Sequence, residues 1–208
     1  MAQNIDLRHH FGAPVLTIQL PAFSRHRDDL MALIEREHAT SEGVFRSNQG
    51  GGWHSRDDLY KDPDPVIAWL GSRILKLAGV GVASAYGQEE DARFRVGALW
   101  ANINRAGDWN APHHHLPADW SGVFWVDAEQ EATADERGIP PGALLFIDPL
   151  PLAKQYGRPG SGFYRPKNGS LVMFPSYLLH MVTPHRQDTP RISMSFNLKF
   201  LEPVEQTE

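Results

Sequence analysis

The C-terminal part of the chain contains a strict alternation of apolar and polar residues. The apolar positions are Ile192, Met194, Phe196, Leu198 and Phe200, and the polar ones are Arg191, Ser193, Ser195, Asn197 and Lys199. A period of two is typical of a β-strand with one buried face. On alternation alone we expect the polar face to meet water, as on most antiparallel sheets, with a polar cavity at its first residues as the alternative.

Several other segments of the second half have the composition of strands. Glycine- and proline-rich turns separate them, which favours a sandwich or barrel. The predicted strands are Phe94–Asn104, Trp120–Ala128, Gly142–Ile147, Ser170–Phe174 and Arg191–Phe200, after a short opening strand at Val15–Leu20.

Two amphipathic helices are predicted before this group of strands. The first is capped by Ser24 and runs to about Ala39, and the second starts at Asp64-Pro65 and stops at Gly79. Their apolar stripes are Leu30, Leu33 and Ile34 in the first helix, and Ile67, Leu70, Ile74 and Leu77 in the second. Such stripes can cover one face of a sheet. We therefore expect one mainly β domain with α, with a helical part over about 1–90 and a barrel over about 91–201.

Composition narrows the functional classes. The 208 residues are 41% hydrophobic and 22% charged, with a net charge of -5, as in an ordinary soluble globular protein. Basic residues form no stripe, so we expect no nucleic-acid partner. The absence of cysteine excludes disulfides, thiolate zinc sites and a cysteine nucleophile. No signal-like segment opens the sequence and the apolar runs are short, so we predict a cytoplasmic protein without a membrane partner.

Histidines are the most informative candidates for chemistry. The chain has 10 of them, and three are consecutive at 113–115. In an extended segment His113 and His115 share a face and can chelate one metal ion. His180, in an apolar stretch, is the best third ligand, since a buried imidazole needs a partner. The alternatives are a hydrogen-bonded core histidine and a solvated histidine loop. Imidazole suits both iron and zinc, so the ligand type leaves the metal open.

Polar residues on nearby predicted strands could complete such a site. Arg191 and Ser193 share a face and could bind a carboxylate, although a surface arginine is a common alternative. Asn102 and Asn104 also share a face, and could bond a ligand or simply the local backbone. Trp53 and His54 follow three glycines, and we interpret them as a possible lid over the site.

The order of these motifs resembles the Fe(II)/2-oxoglutarate-dependent oxygenase superfamily, and more narrowly a bacterial family of 2OG-Fe(II) oxygenases of unknown substrate. The resemblance spans about residues 40–201. It is carried by Ser47-Asn48, Gly52-Trp53-His54-Ser55, Trp100–Asn104, Asn110, His113-x-His115, Ser121-Gly122-Val123, Phe174–Leu178 with His180, and Arg191–Asn197.

The resemblance implies a double-stranded β-helix, or jelly roll, with the two helices on its larger sheet. It makes His113 and His180 the first and last iron ligands, and pairs Arg191 with the far carboxylate of 2-oxoglutarate, helped by Ser193. The second ligand of the family is usually a carboxylate, whereas this sequence has His115. Asp119 is a remote substitute, because it lies outside the H-x-H register.

The implied function is an Fe(II)- and 2-oxoglutarate-dependent dioxygenase. It would use O2 to hydroxylate an unidentified small-molecule or peptide substrate, with release of succinate and CO2. We predict no catalytic side chain beyond the metal ligands, and place Asn102 and Asn104 near 2-oxoglutarate or substrate. Two alternatives remain: a three-histidine, cupin-like metal dioxygenase that does not use 2-oxoglutarate, and a non-enzymatic metal-binding jelly-roll module.

Overall fold

The fold is known from a computed structural model. It describes residues 6–10, 12–88, 92–129, 133–134, 136, 138–148 and 161–201.

Two α-helices lie in the first half of the described chain. Helix α1 spans Arg27–Thr40 and helix α2 spans Pro65–Ala85. The predicted start of α2 is confirmed, because the Val66 N–H donates to Asp64 Oδ1 at 3.0 Å and Pro65 opens the helix. The predicted cap of α1 is wrong. Ser24 lies inside a single 3-10 turn, Phe23–Arg25, and α1 begins after His26 without a side-chain cap.

Helix α2 does not stop at Gly79 as predicted. It continues through Gly79 and Gly81 to Ala85. Both glycines are buried, and a Cβ on Gly81 would lie 2.6 Å from Leu16 Cδ1. The absent side chain therefore allows close packing here rather than ending the helix.

Among the described residues, twelve strands form two antiparallel sheets. They are β1 (Asp6–His10), β2 (Ala13–Gln19), β3 (Asn48–Gln49), β4 (Trp53–His54), β5 (Phe94–Asn104), β6 (Trp109–His113), β7 (Trp120–Asp127), β8 (Leu144–Ile147), β9 (Ser161–Tyr164), β10 (Ser170–Pro175), β11 (His180–Val182) and β12 (Arg191–Phe200). The larger sheet has the order β1-β2-β10-β7-β12-β5-β4, and the smaller has the order β3-β6-β11-β8-β9.

The long strands match the sequence prediction and the short ones do not. The predicted bounds of β5 and β12 are confirmed, and those of β2, β7, β8 and β10 agree to within two residues. The pattern did not predict β1, β3, β4, β9 and β11, and β6 was only expected to be extended. The first part of the chain is thus less purely helical than expected, since β2 pairs with β10 in the larger sheet.

Two buried apolar clusters hold these elements together. The larger cluster joins the stripes of α1 and α2 to the apolar face of β12, which includes Met194 and Phe196. The smaller cluster lies between the two sheets, and contains Trp125 and Phe174 from the larger sheet and Phe146 from the smaller. Because hydrophobic burial is the main favourable term in folding, these clusters fix the position of each sheet.

At its Arg191 end, the polar face of β12 does not meet water as expected. Arg191 is 2% exposed and Ser193 is 1% exposed, and both line a cavity. Alternation alone cannot distinguish these cases, because a polar cavity and bulk water favour the same residues. The alternative prediction, a polar cavity at the first residues of this strand, is therefore the one observed.

One helix has the length and composition of a membrane span, contrary to the expectation from short apolar runs. This is α2, whose most apolar 18-residue window has a mean hydropathy of 1.5 and is 56% buried. The core helix of a soluble protein has the same properties, so the finding is weak evidence for a membrane.

Candidate metal centre

The structure brings the three predicted histidines together. His113 ends β6, His180 begins β11, and the two are direct partners in the antiparallel register of the smaller sheet. His115 follows two residues after the end of β6. The candidate ligand atoms all lie within 4.8 Å of one another. This spacing suits three imidazoles around one metal ion, whose bonds to nitrogen are about 2.0–2.1 Å for zinc.

Backbone carbonyls set the tautomers of two of these rings. His113 Nδ1 lies 2.7 Å from the Ala111 carbonyl oxygen, and His180 Nδ1 lies 2.8 Å from that of Leu178. A carbonyl oxygen can only accept, so both Nδ1 atoms carry the proton. Each Nε2 therefore keeps a lone pair for a metal. Ser47 Oγ is also near, at 3.5 Å from His113 Nε2.

His115 is held differently. Its backbone N–H donates to the Ser176 carbonyl at 2.9 Å, and its own carbonyl accepts from the Ala118 N–H at 2.9 Å. Its ring lies 5.0 Å from that of His180 and 5.6 Å from that of Trp100, between centroids. Among the described residues, no carbonyl holds the His115 ring as Ala111 and Leu178 hold the other two. Position, rather than a fixed tautomer, makes it available as a ligand.

All three imidazoles are neutral at physiological pH. Burial lowers the pKa of His115 to about 2, helped by the nearby His180 and His113. Burial likewise lowers the pKa of His180 to about 3, and that of His113 below its usual value. A neutral imidazole is the form that binds a metal.

Arg191 is a buried cation in the same cavity. Its Nε donates to the Gly142 carbonyl at 3.0 Å and its Nη1 donates to Ser193 Oγ at 3.0 Å. Its Nη2 is buried and has no hydrogen-bond partner among the described residues. Burial lowers the pKa of Arg191 to about 10, which still leaves it charged at neutral pH. A buried charge with an unpaired donor is costly, so the geometry favours an anionic ligand here.

The cavity that contains these groups has a volume of about 500 Å³. One wall is the polar face of β12 with the neighbouring part of β5, and the opposite wall carries the histidines. A space of this size fits a small ligand beside a metal ion.

The two predicted asparagines have different positions. Asn102 lines the cavity, and its Nδ2 donates to Ser195 Oγ at 3.2 Å. Asn104 lies outside the cavity lining, and its Nδ2 donates to Asn110 Oδ1 at 3.5 Å. Asn104 Oδ1 is buried and has no partner among the described residues. Of these two, Asn102 is therefore the one in direct reach of a ligand.

Asp119 is not part of the histidine cluster. Its Oδ2 accepts from the Phe200 N–H at 2.8 Å, and its Oδ1 lies 3.7 Å from Lys199 Nζ. Within the described parts of the chain, His113, His115 and His180 form the only metal-ligating group of three or more such side chains. The remote carboxylate substitute is thus absent from the described site.

Comparison with known proteins relates this cavity to a family. Residues 98–197 match the family model described as "Putative 2OG-Fe(II) oxygenase". The match includes the three histidines, Arg191 and Ser193. This stretch of the chain is similar to 2OG-Fe(II) oxygenases. The resemblance inferred from the motifs is therefore confirmed for this part of the chain.

Solved structures share the fold of this chain at low sequence identity. A prolyl-4-hydroxylase from Pseudomonas putida is 16% identical, with a TM-score of 0.58 over 95% of this chain and 92% of that one. The α-ketoglutarate-dependent epimerase SnoN of nogalamycin biosynthesis is 17% identical, with a TM-score of 0.60 over 89% and 76%. HygX from Streptomyces hygroscopicus, crystallised with nickel and 2-oxoglutarate, is 11% identical, with a TM-score of 0.57 over 92% and 83%. No curated protein sequence matches the chain.

The segment predicted to be a lid is instead part of the cavity wall. Trp53 and His54 form β4 and pair with Ile103 and Asn102 of β5. They are 8% and 4% exposed, and His54 stacks on Trp100 with centroids 5.4 Å apart. The three glycines indicated mobility, but the sheet pairing and stacking that hold this segment are tertiary contacts.

Sequence reasoning missed several cavity residues. Arg46, Asp57 and Trp100 line the cavity, as do Ser195 and Asn197. A signal existed for the last two, because they share the polar face of β12 with Arg191. Trp100 shares a face of β5 with Asn102 by the same rule, but its size favoured a core position. For Arg46 and Asp57, in a loop, no local pattern predicts the cavity.

Proposed function

We propose that this protein is an Fe(II)- and 2-oxoglutarate-dependent dioxygenase. The observation that carries the proposal is three neutral imidazoles gathered in one cavity with a buried, unpaired guanidinium. The family match over residues 98–197 supports it. Fe(II) and 2-oxoglutarate are the proposed cofactors, and O2 and an unidentified small molecule or peptide the co-substrates.

The residues present fit a metal ion. His113 and His180 offer Nε2 lone pairs because their Nδ1 protons are bonded to carbonyls. His115 would be the third ligand. Three histidine ligands leave the same number of open positions as two histidines and a carboxylate. The set is one unit more positive than the usual one, which favours an anionic co-ligand such as 2-oxoglutarate.

The residues also fit a dicarboxylate. Arg191 Nη2 has no partner, and a carboxylate would satisfy it while neutralising the buried charge. Ser193 Oγ accepts from Nη1 and holds the guanidinium in place. Asn102, on the same wall, can bond 2-oxoglutarate or the substrate.

Bound iron with 2-oxoglutarate and O2 would supply the oxidation chemistry: 2-oxoglutarate would be decarboxylated to succinate and CO2, and a substrate C–H bond hydroxylated. The chain's own residues bind and orient the reactants. Arg191 fixes one end of the dicarboxylate and the histidines mark the other end. The apolar side chains Val123, Leu144 and Phe174 restrict water on the cavity wall.

The proposed architecture is a double-stranded β-helix forming one domain, with α1 and α2 packed on the larger sheet. The interleaved strand orders and the shared apolar cluster of helices and sheet support this. Localisation in the cytoplasm is part of the proposal and rests on the sequence alone.

The direct test is turnover by anaerobically prepared protein. Adding Fe(II), 2-oxoglutarate and O2 should yield succinate, slowly in the absence of substrate, and 2-oxoglutarate should bind the metal-loaded protein in calorimetry. His180→Ala should abolish both. Metal-loaded protein that neither binds nor decarboxylates 2-oxoglutarate would refute the proposal.

One observation favours a second candidate, a three-histidine dioxygenase that does not use 2-oxoglutarate. It is the presence of His115 where the family usually has a carboxylate. In that case Arg191→Ala would leave metal binding intact and change no oxoacid affinity. The same calorimetric titration distinguishes the two candidates. A non-enzymatic module would instead hold a saturated metal that resists exchange.

A further inference from the structure

Two hydrogen-bond acceptors, one from His54 and one from Asp57, face each other on the cavity wall. His54 Nδ1 donates to the Ser55 carbonyl at 2.7 Å, so His54 Nε2 keeps its lone pair. This Nε2 lies 3.9 Å from Asp57 Oδ1, which is too long for a hydrogen bond. Among the described residues, no donor bonds to either atom. Burial lowers the pKa of His54, so the ring is neutral.

Both acceptors are fixed in place. His54 is 4% exposed, pairs with Asn102 in the sheet and stacks on Trp100. The Asp57 carbonyl accepts from the Leu99 N–H at 2.8 Å, and Asp57 Oδ2 accepts from Arg46 Nη2 at 3.2 Å. The pair is therefore prearranged before any ligand arrives.

The pair adjoins the candidate metal centre. The Trp100 ring stacks on that of His54, and its centroid lies 5.6 Å from the centroid of the His115 ring. A molecule held at the pair would extend along the cavity toward the three histidines. The location is thus suited to a substrate rather than to 2-oxoglutarate, because the strand of Asn102 lies between His54 and Ser193, the residue that holds the 2-oxoglutarate anchor Arg191.

The distance between the acceptors selects the donor. One nitrogen about 2.9 Å from both atoms would subtend about 85°, which two of its own hydrogens can span with bent bonds. A hydroxyl has one hydrogen and can satisfy one acceptor only. A carboxylate has none and would be repelled by Asp57. Arg46 already balances the charge of Asp57, so a neutral carboxamide fits as well as an ammonium.

We propose that the substrate carries a nitrogen with two or more hydrogens, a primary amine or a primary carboxamide, bound between His54 Nε2 and Asp57 Oδ1. The inference rests on the proposed function only in that the bound molecule then presents a C–H bond to the metal centre. His54 and Asp57 are specificity residues in this proposal.

Four six-carbon probes test it: hexylamine, hexanamide, 1-hexanol and hexanoate. Saturation-transfer NMR ranks the affinities of the four probes for the metal-free protein. Proton relaxation ranks their affinities for the protein loaded with Co(II) and 2-oxoglutarate. Hexylamine or hexanamide should bind at least about fivefold more tightly than the other two, as expected from one additional hydrogen bond. The stronger of the two nitrogen probes identifies the class.

Variants tie the preference to the pair. Asp57→Ala and His54→Phe should remove it, and His54→Phe keeps an aromatic ring to stack on Trp100. Asp58→Ala is the matched control, because this neighbouring carboxylate pairs with Arg56 and Lys61 instead. Asp57 is 44% exposed at its side chain, so its variant tests the proposal even if His54→Phe does not fold.

The outcomes separate this inference from the proposed function. Equal or stronger binding of 1-hexanol or hexanoate, or an unchanged ranking in Asp57→Ala, would overturn the inference. The cobalt absorption bands and 2-oxoglutarate binding report the metal centre independently. If the cobalt bands and 2-oxoglutarate binding were absent, the proposed function would be contradicted. The ranking of the four probes on the metal-free protein would still test whether His54 and Asp57 bind a substrate nitrogen.

Discussion

Two carbonyl oxygens prepare the candidate metal centre at the scale of single residues. Those of Ala111 and Leu178 hold the Nδ1 protons of His113 and His180. The ligand nitrogens are therefore defined before a metal binds, which lowers the cost of ordering them. The sequence identifies the histidines, but the carbonyl partners become visible only when each chain segment has a conformation.

Replacing one ligand should remove metal binding, and replacing its neighbour should not. His180→Ala should lower the affinity for Co(II) by about 100-fold or more, because two ligands remain from a set of three. His114→Ala is the control, since His114 is exposed and outside the ligand group. Calorimetry and the cobalt absorption spectrum measure both. An equal loss of Co(II) affinity in the two variants would mean that the metal does not select His180 over the neighbouring histidine His114.

Arg191 should matter for anion binding and not for stability. Arg191→Met should lower 2-oxoglutarate affinity by about 100-fold, as expected on removing one partner of a buried charge pair. Metal affinity should be unchanged. Because the metal-free protein buries this charge without a carboxylate partner, its melting temperature should stay equal or rise.

The control for that prediction is Arg186→Met, an exposed arginine close in sequence. It should alter neither 2-oxoglutarate affinity nor the melting temperature. If Arg191→Met unfolded the metal-free protein, then the guanidinium would have a structural role instead of waiting for a ligand.

Contacts between neighbouring helices and strands determine where several secondary-structure elements begin and end. Helix α2 continues beyond Gly79, the residue predicted to end it, and the absence of a side chain at Gly81 allows close contact with Leu16 of β2. Strands β4 and β11 are two and three residues long, too short for a periodic pattern, so pairing with longer strands determines them. Long elements with many periodic positions, such as β5 and β12, were predictable for the opposite reason.

Two glycines of α2 should respond differently to alanine. Gly71→Ala should stabilise the protein by about 0.5–1 kcal/mol, since alanine favours a helix interior and the new Cβ meets open space. Gly81→Ala should stabilise less or destabilise, because its Cβ would lie 2.6 Å from buried Leu16. Urea denaturation measures both free energies of unfolding. An equal gain in both variants would contradict the close packing of α2 and β2.

The candidate metal centre joins separate parts of the whole molecule. His113 and His180 are 67 positions apart in sequence (180 minus 113) but paired in the smaller sheet. Arg191 reaches the same cavity from the larger sheet. A ligand bound to these groups therefore holds elements that are otherwise connected by long segments, and its binding free energy adds to the stability of the folded state.

Metal binding should raise the melting temperature. At a free metal concentration of about 100 times Kd, the stabilisation is about 2.7 kcal/mol, or about 5–10 °C for a chain of this size. Differential scanning fluorimetry with Ni(II) or Co(II) measures the shift, and a chelator should reverse it. The shift should be absent in His180→Ala. A similar shift in that variant would assign the effect to metal binding elsewhere.

The sequence by itself determined which residues could carry the chemistry and which long segments form strands and helices. Local periodicity and residue type decide those properties, and they are encoded within a few positions of one another. Only the tertiary structure decided that the polar face of β12 lines a cavity, that His54 forms part of the cavity wall, and that Arg46 and Asp57 line the same cavity. Water and a polar cavity select the same side chains, so the difference appears only when distant segments pack around a common space.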